Sequence, residues 1–265
     1  RRAPISIGRT VERVSFRVGA SSYDRFMGRY SVPLAPRFAD LASVVAGQRV
    51  VDVGCGPGAL TAELVVRVGA AAVAAVDPSE SFVAAAQERH PTVEVHRAAA
   101  EQLPFEDDSF DAAVAQLVVH FMADPIAGLR EMARVTRPDG VVAACVWDHQ
   151  GGSGPLSLFW RAVHDLDASF AGEAGLAGAG DGQLVRLFRE AGLRQVEQHL
   201  LWVAVEHESF EEWWEPFTLG VGPAGAYVAG LDAAGRARLR EQCHRLAPAA
   251  PFVVEAAAWA ARAVV

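Results

Sequence analysis

The chain of 265 residues contains no lysine, so all 24 of its basic residues are arginine. This absence excludes a P-loop lysine, a lysine Schiff base with pyridoxal phosphate and a nucleophilic lysine amine. Cysteine is also scarce: Cys55, Cys145 and Cys243 are the three in the chain and lie far apart. Their spacing matches neither a metal-binding motif nor a disulfide framework. We therefore expect no metal site and a reducing, cytoplasmic location.

Long apolar runs and excess positive charge are missing as well. No uninterrupted apolar segment reaches the roughly 18 residues that a membrane-spanning helix needs. The net charge of -8 disfavours nucleic acids and anionic membranes as partners. Hydrophobic residues make up 51% of the chain and charged residues 21%, as in a globular protein with a sizeable core. We therefore expect a small molecule as the partner, and we expect neither a nucleic acid nor a membrane to be one. The composition does not determine the oligomeric state.

Residues 50–58 read V-V-D-V-G-C-G-P-G and join a short apolar strand to a helix-like segment. A strand, a glycine-rich turn and a helix in this order begin a nucleotide-binding crossover. Asp52 stands two residues before Gly54, where a carboxylate would repel a pyrophosphate. The same carboxylate would attract the ammonium and sulfonium groups of S-adenosylmethionine (SAM). Gly54, Gly56 and Ala59 also fit the G-x-G-x-x-A pattern of dinucleotide binders, so the turn alone leaves NAD as an alternative.

Asp77 follows Gly58 by 19 positions and ends the second predicted strand. An acidic residue about 20 positions after a glycine turn accepts hydrogen bonds from ribose hydroxyls in nucleotide-binding folds. The residue could instead stabilise the start of the next helix through the helix dipole. Because the strand, its end and the spacing agree, we predict that Asp77 binds ribose.

Strands and helices alternate along most of the chain, which predicts a doubly wound α/β sheet with parallel strands. Residues 1–20 show no period and are expected to form a loose arm. Pro33 and Pro36 are expected to break the helical region after it into short pieces. Two late strands, about 45 residues apart, predict an antiparallel hairpin with a helical insertion. The strands are predicted over 49–53, 71–76, 92–97, 110–116, 140–147, 196–206 and 252–265.

Further motifs follow the glycine turn in a fixed order: V-D-P-S at 76–79, A-E-Q-L-P-F at 100–105, S-F-D at 109–111 and R-P-D-G at 137–140. Together with V-D-V-G-C-G-P-G at 51–58 they resemble the class I SAM-dependent methyltransferases, in the branch named after ubiquinone and menaquinone biosynthesis (methyltransferase type 11). The resemblance covers about residues 48–148 by motif. It implies a Rossmann-like α/β sheet of seven strands with the last antiparallel, an N-terminal helical lid and a helical insertion before the last strand.

The same resemblance implies a division of the chain into four parts. An arm and helical lid would occupy 1–45, and the SAM-binding core 46–208. A helical, aromatic insertion that caps the substrate would occupy 209–248, and the last core strand 249–265.

The family's motif positions also imply a set of cofactor contacts. The methionine end of SAM would lie against Asp52 and the turn residues Gly54, Cys55, Gly56 and Gly58, with Tyr23 and Arg29 of the lid over it. Arg29 would pair with the SAM carboxylate. The nucleoside end would contact Asp77, Pro78, Ala100, Glu101 and Gln116. Many relatives carry an aspartate where this chain has Ala99, so Glu101 or a backbone carbonyl would have to bind the adenine amino group.

Two histidines are candidates for a general base. His120 follows the fourth predicted strand and His149 the fifth, and active sites of open α/β sheets lie beyond such carboxyl ends. Both could equally be packing or loop residues. Aromatic residues of the insertion, which could roof a flat substrate or fill the insertion's own core, are Trp213, Trp214, Phe217 and Tyr227.

These features predict a SAM-dependent methyltransferase that releases S-adenosylhomocysteine (SAH). Its substrate would be a small apolar or aromatic molecule methylated on oxygen, nitrogen or carbon, by positioning with or without a histidine base. Three alternatives remain: an NAD-dependent oxidoreductase, a nucleic-acid or protein methyltransferase, and a SAM-binding module without catalysis. The segment Q-L-V-V-H-F at 116–121 lacks the Pro-Pro-aromatic motif typical of enzymes that methylate base amines.

Overall fold

The computed structural model describes residues 19–170 and 172–265. Most of the predicted N-terminal arm, residues 1–18, lies outside the described residues. In the described part, one sheet is built from the strands β1 Val50–Val53, β2 Val73–Asp77, β3 Glu94–Arg97, β4 Phe110–Gln116, β5 Thr136–Trp147, β6 Arg194–His207 and β7 Phe252–Val264.

Helices cover both faces of this sheet. They are α1 Ala20–Tyr23, α2 Arg29–Leu41, α3 Ala59–Val68, α4 Glu80–Arg89, α5 Pro125–Val135, α6 Ser157–Leu166, α7 Gln183–Glu190, α8 Phe210–Trp214, α9 Gly222–Gly230 and α10 Ala233–Leu246. Shorter helical turns are the π-helical Asp24–Gly28 and the 3₁₀ segments Ala70–Ala72, Val119–Phe121 and Glu215–Leu219.

The strand order is β3-β2-β1-β4-β5-β7-β6. The first five strands pair in parallel, whereas β7 runs antiparallel to both β5 and β6. This confirms the predicted seven-stranded sheet with an antiparallel last strand. Residues 208–251, which connect β6 to β7 and contain α8, α9 and α10, are called the insertion below.

The structure gives β4 the bounds that the sequence predicts, and both β4 and α5 have strong local signals in the sequence. Every residue of β4 is buried, as expected for a central parallel strand covered on both faces. The Asp124 side chain accepts hydrogen bonds from the backbone amides of Ile126 and Ala127, and Pro125 occupies the first helical position. Other predicted strand bounds were wrong: β5 begins earlier, at Thr136, and β2 and β3 each begin two residues later than predicted, at Val73 and Glu94.

The prediction that prolines divide the N-terminal helical region was also wrong. Residues 20–41, called the N-terminal helix below, are helical throughout, with a π-helical segment at Asp24–Gly28. Pro33 and Pro36 lie on the exposed face of α2, where water can hydrogen-bond the carbonyls that they leave without partners. The opposite face is continuously buried around Leu34 and Phe38, and this packing outweighs the local cost of the prolines.

All three cysteines are buried and unpaired with one another. Burial raises the pKa of the Cys55 thiol well above its usual range and also raises that of Cys145, so neither is a reactive thiolate. No three His, Cys, Asp or Glu side chains in the described ranges are grouped so as to hold a metal ion. Among the helices described, none is both long and apolar enough to cross a bilayer.

Candidate functional site

The candidate site lies at the carboxyl edge of the parallel strands, where β1, β2 and β4 end. The chain order of strands reverses between β1 and β4, which creates a crevice at this edge. The glycine turn follows β1, Asp77 ends β2 and Gln116 ends β4. Residues far apart in the sequence therefore meet at one place.

The glycine turn contains three residues with positive φ, Gly54, Gly56 and Gly58. Gly54 has φ +74°, and a Cβ there would lie 2.4 Å from the Val118 side chain, so only glycine fits. Its amide donates to the carbonyl of Val76 at 2.7 Å, which fixes the turn against β2. Gly56 has φ +54°, but a Cβ there would meet nothing within 4 Å. The requirement for glycine at position 56 is thus conformational, and the space beside it is open.

Asp52 is a buried carboxyl group with one unpaired oxygen. Its Oδ2 accepts a hydrogen bond of 2.7 Å from the Thr61 hydroxyl, while Oδ1 is buried without a partner among the described residues. Burial raises the pKa of Asp52 to about 7, opposed by the Thr61 bond and supported by the negative charge of Asp77. A buried acceptor without a partner is costly. A cationic ligand group would relieve that cost.

Asp77 holds the glycine turn through backbone amides. Its Oδ2 accepts from the Gly56 amide at 2.9 Å and its Oδ1 from the Ser79 amide at 2.8 Å. Burial raises the pKa of this carboxyl group, against the effect of the two amides. Each carboxylate oxygen keeps acceptor capacity beyond one bond. Ribose binding by Asp77 is compatible with this arrangement and stays a prediction.

A small cavity of about 20 Å³ lies beside the turn. Six predicted cofactor residues line it: Tyr23, Asp52, Gly54, Cys55, Gly56 and Gln116. The other lining residues, which were not among the predicted cofactor contacts, are Ser31, Pro57, Ala59 and Leu60. Gln116 donates from Nε2 to the Ser31 carbonyl at 3.0 Å, and its Oε1 is buried without a described partner. The cavity has room for about one water molecule. Its polar atoms suit SAM, but a whole cofactor is larger than this cavity.

The N-terminal helix is held down over this cavity by contacts at several points. Tyr23 packs edge-on against Phe82 of α4, with ring centroids 5.4 Å apart. Arg89 of α4 pairs with Asp24 and also donates to the Pro57 carbonyl in the glycine turn at 2.9 Å. These contacts hold the N-terminal helix against α4 and the glycine turn, and Asp24 belongs to its π-helical segment.

Other predicted cofactor residues do not line the cavity. Glu101 accepts a hydrogen bond from the Asp124 amide at 3.0 Å and so caps α5. Pro78 is exposed, and Ala100 is buried in the core. Gly58 precedes α3 with φ +99°. The structure thus brings the predicted methionine-end residues together more closely than the predicted adenine-end residues.

Arg29, predicted to bind the SAM carboxylate, contacts the insertion instead. Its Nη1 lies 2.9 Å from Nδ1 of His207 and 3.4 Å from Oε1 of Glu212. His207 Nε2 lies 3.0 Å from the Tyr30 hydroxyl. Because a guanidinium only donates, Nδ1 must accept and the proton must be on Nε2. His207 is therefore neutral and joins the N-terminal helix to the end of β6.

We expect the His207 contact to make the protein less stable in mild acid. Burial, followed by the charge of Arg29, lowers the pKa of His207 to about 4. The folded state then binds fewer protons than the unfolded state between about pH 6.5 and 4. Its contribution to the free energy of unfolding, about 3 kcal/mol, is complete above pH 6.5 and is lost as the pH falls towards 4. Urea unfolding at pH 7 and 4.5 measures it.

His207→Gln keeps an acceptor and a donor but does not titrate, so this variant should lose less stability in acid than the wild type. His199→Gln on the exposed part of β6 is the matched control and should leave the pH dependence unchanged. If both variants follow the wild-type pH profile, His207 is not the group responsible.

The two candidate catalytic histidines lie near each other at the ends of β4 and β5. Their ring centroids are 6.1 Å apart. His120 Nδ1 is buried without a described partner. Burial, with a smaller effect of His149, holds the pKa of His120 well below its usual range, so its ring is neutral at physiological pH. Buried Asp148 accepts from the Gly151 amide at 2.9 Å and thereby shapes the turn that carries His149.

The predicted substrate aromatics lie mainly inside the protein. Trp213, Trp214 and Phe217 are almost completely buried and pack with Phe26 of the N-terminal helix. Phe217 also stacks on Phe159 of α6, with centroids 4.5 Å apart. Tyr227 alone among the four is partly exposed. The packing role is thus the one visible in this conformation, and a substrate role stays a prediction.

Comparison with known proteins supplies the family. The profile of the family described as "Methyltransferase domain" matches residues 51–144. An uncharacterised methyltransferase of Mycobacterium tuberculosis is 35% identical over 135 residues, covering 51% of this chain and 52% of the relative. The demethylmenaquinone methyltransferase of Mycobacterium sp. strain KMS is 42% identical over 101 residues, covering 37% and 41%. The chain spans about half the length, or less, of these curated relatives.

Solved structures support the fold. Phosphoethanolamine N-methyltransferase 2 of Haemonchus contortus, in complex with phosphomonomethylethanolamine and SAH, aligns with a TM-score of 0.56 and 18% identity. The alignment covers 96% of this chain and 60% of that one. At this identity the likeness concerns the fold alone, which is that of class I methyltransferases. Residues 51–144 therefore form a methyltransferase type 11 domain, and this SAM-dependent family implies SAM as the cofactor.

Proposed function

We propose that the chain transfers a methyl group from SAM to a small aromatic or apolar molecule. The observation that carries this proposal is the unpaired, buried Oδ1 of Asp52 beside the open space at Gly56. A negative group at this position suits the ammonium of SAM and opposes the pyrophosphate of NAD. The domain match supports the same choice.

Residues of the chain would contribute mainly by positioning. Bound SAM supplies an electrophilic methyl group on a cationic sulfur, without need of a metal. Asp52 would hold its ammonium, and Asp77 its ribose hydroxyls, beside the backbone of the glycine turn. Correct placement of two reactants accounts for several kcal/mol of a reaction barrier. The N-terminal helix would exclude water where it lies over the cofactor.

His120 and His149 would take the proton that an acceptor hydroxyl or amine releases. A neutral imidazole can do this through its unprotonated ring nitrogen, and His120 has a ring nitrogen without a described partner at Nδ1. Burial keeps His120 uncharged at physiological pH. Positioning without a base is the other route, because a SAM methyl group reacts readily.

The experiment that tests the cofactor assignment is a titration of Asp52→Asn with SAM. We expect binding about 10–100-fold weaker than in the wild type at pH 8, because one charge-assisted hydrogen bond becomes a neutral one. Since the pKa of Asp52 is about 7, wild-type affinity should rise with pH up to that value, by at most about tenfold per unit. Calorimetry in two buffers of different ionisation enthalpy should show proton release near pH 6.

Asp111→Asn is the matched control. Asp111 is also buried, but it lies at the start of β4, at the opposite edge of the sheet, where its Oδ2 accepts from the Arg49 amide. This variant should bind SAM with wild-type affinity and wild-type pH dependence. Unchanged SAM affinity in Asp52→Asn would remove the central contact of the proposed site.

A further inference from the structure

A second cavity, of about 520 Å³, lies between the loop after β5 and α6. It shares no lining residue with the small cavity beside the glycine turn. Its size falls in the range of about 300–1,000 Å³ that small-molecule sites occupy. Its lining includes His149 of the loop, three residues of α6 and one residue beyond that helix. These four are Trp160, Arg161, His164 and Phe170.

One wall of this cavity is aromatic and firmly held. The rings of Trp160 and Phe170 are nearly parallel, with centroids 5.5 Å apart and an interplanar angle of 20°. Trp160 donates from Nε1 to the carboxylate of buried Glu173 at 2.8 Å. Tyr227 of the insertion packs against Phe170 at 4.7 Å. Rings fixed in this way offer a preformed surface for a planar ligand.

The polar lining of the cavity is basic. Arg161 and the imidazoles of His149 and His164 contribute to it, and no Asp or Glu does. Arg161 forms no hydrogen bond or ion pair with any residue in the described ranges. The three carboxylates on the same segment accept hydrogen bonds from other residues: Asp165 from Gln242, Asp167 from Ser169 and Glu173 from Trp160. Asp167 also interacts electrostatically with His164, which leaves Arg161 as the cationic group without a described carboxylate partner. In a chain of net charge -8, such a lining favours a negatively charged ligand.

We propose that this cavity binds a planar aromatic molecule that carries one anionic group of the carboxylate type. The ring would lie against the Trp160–Phe170 wall, and Arg161 would pair with the anion. His149 lines the cavity and lies near His120, so the ligand is placed on the side of the two candidate bases. The role of this ligand as methyl acceptor rests on the proposed function; its binding does not.

Calorimetric titration of the whole chain with 2-naphthoate and with its neutral isostere 2-naphthamide tests the proposal. We expect 2-naphthoate to bind about five- to tenfold more tightly, since one exposed guanidinium contributes about that factor. Arg161→Gln should bind both compounds with the weaker affinity. Arg161 is exposed, so this variant should keep the wild-type melting temperature. Arg186→Gln, an exposed arginine on α7 outside the lining, should behave as wild type.

Equal affinities for the two compounds, no binding of either, or a preference that survives in Arg161→Gln would overturn the proposal. A SAM titration on the same samples keeps the two hypotheses apart. Loss of naphthoate binding with intact SAM binding refutes only the anion site. Absence of SAM binding refutes the proposed function, whatever the result with naphthoate.

Discussion

Gly56→Val is expected to abolish SAM binding while the protein remains folded. The φ angle of +54° at Gly56 costs a residue with a side chain about 1–2 kcal/mol, and a folded domain has about 5–15 kcal/mol of stability. Nothing within 4 Å of the added Cβ opposes folding. The valine methyls would instead fill the space that the ligand needs, so we expect a loss beyond about 100-fold. Calorimetry measures the affinity, and circular dichroism checks the fold.

Gly192→Val provides the matched control. Gly192 also has a positive φ, +96°, and its Cβ would also meet nothing within 4 Å, but it ends α7 on the outside of the fold. This variant should lose a similar amount of stability and keep full SAM affinity. Normal SAM binding by Gly56→Val would show that the cofactor does not approach this turn.

Replacing both candidate bases, as His120→Gln with His149→Gln, is expected to lower turnover by about 10²–10⁴-fold and leave SAM affinity within about twofold. The reason is that a general base acts on the acceptor and not on the cofactor. The measurement is SAH release with an acceptor identified by screening hydroxy- and amino-aromatic compounds. Each single variant should show whether one histidine carries most of the effect.

His244→Gln, in the last turn of α10 with its ring against Phe210, is the control for this series. Full turnover in the double variant would mean that the reaction proceeds by positioning alone. Tight SAM binding with no SAH release from any acceptor class would instead support the alternative of a SAM-binding module without catalysis.

The parts of the fold that the sequence predicts well depend on local signals. The capped start of α5 and the continuous apolar run of β4 can be recognised in the sequence, because each depends on residues that are adjacent in the chain. The prolines of α2 show where this fails. A rule about local backbone geometry predicted a break, but the buried face formed by Leu34 and Phe38 is a property of the assembled protein.

The candidate site divides in the same way. The glycine turn and Asp52 lie within a few residues of each other and can be recognised together. Arg29 contacts His207, which lies 178 positions later in the sequence, and no local sequence pattern predicts that pair. The Glu101 carboxylate accepts a hydrogen bond from the Asp124 amide, which competes with the adenine contact predicted for it. Composition also cannot tell which aromatics line a cavity: the adjacent tryptophans are core residues, whereas Trp160 lines the larger cavity.

The most direct test of the central claim is calorimetric titration of the wild-type chain at pH 8 with SAM and, separately, with NAD. If Asp52 and the open glycine turn bind SAM, heat should be released with one SAM per chain and none should be detected with NAD. Saturable binding of NAD without binding of SAM would contradict the account.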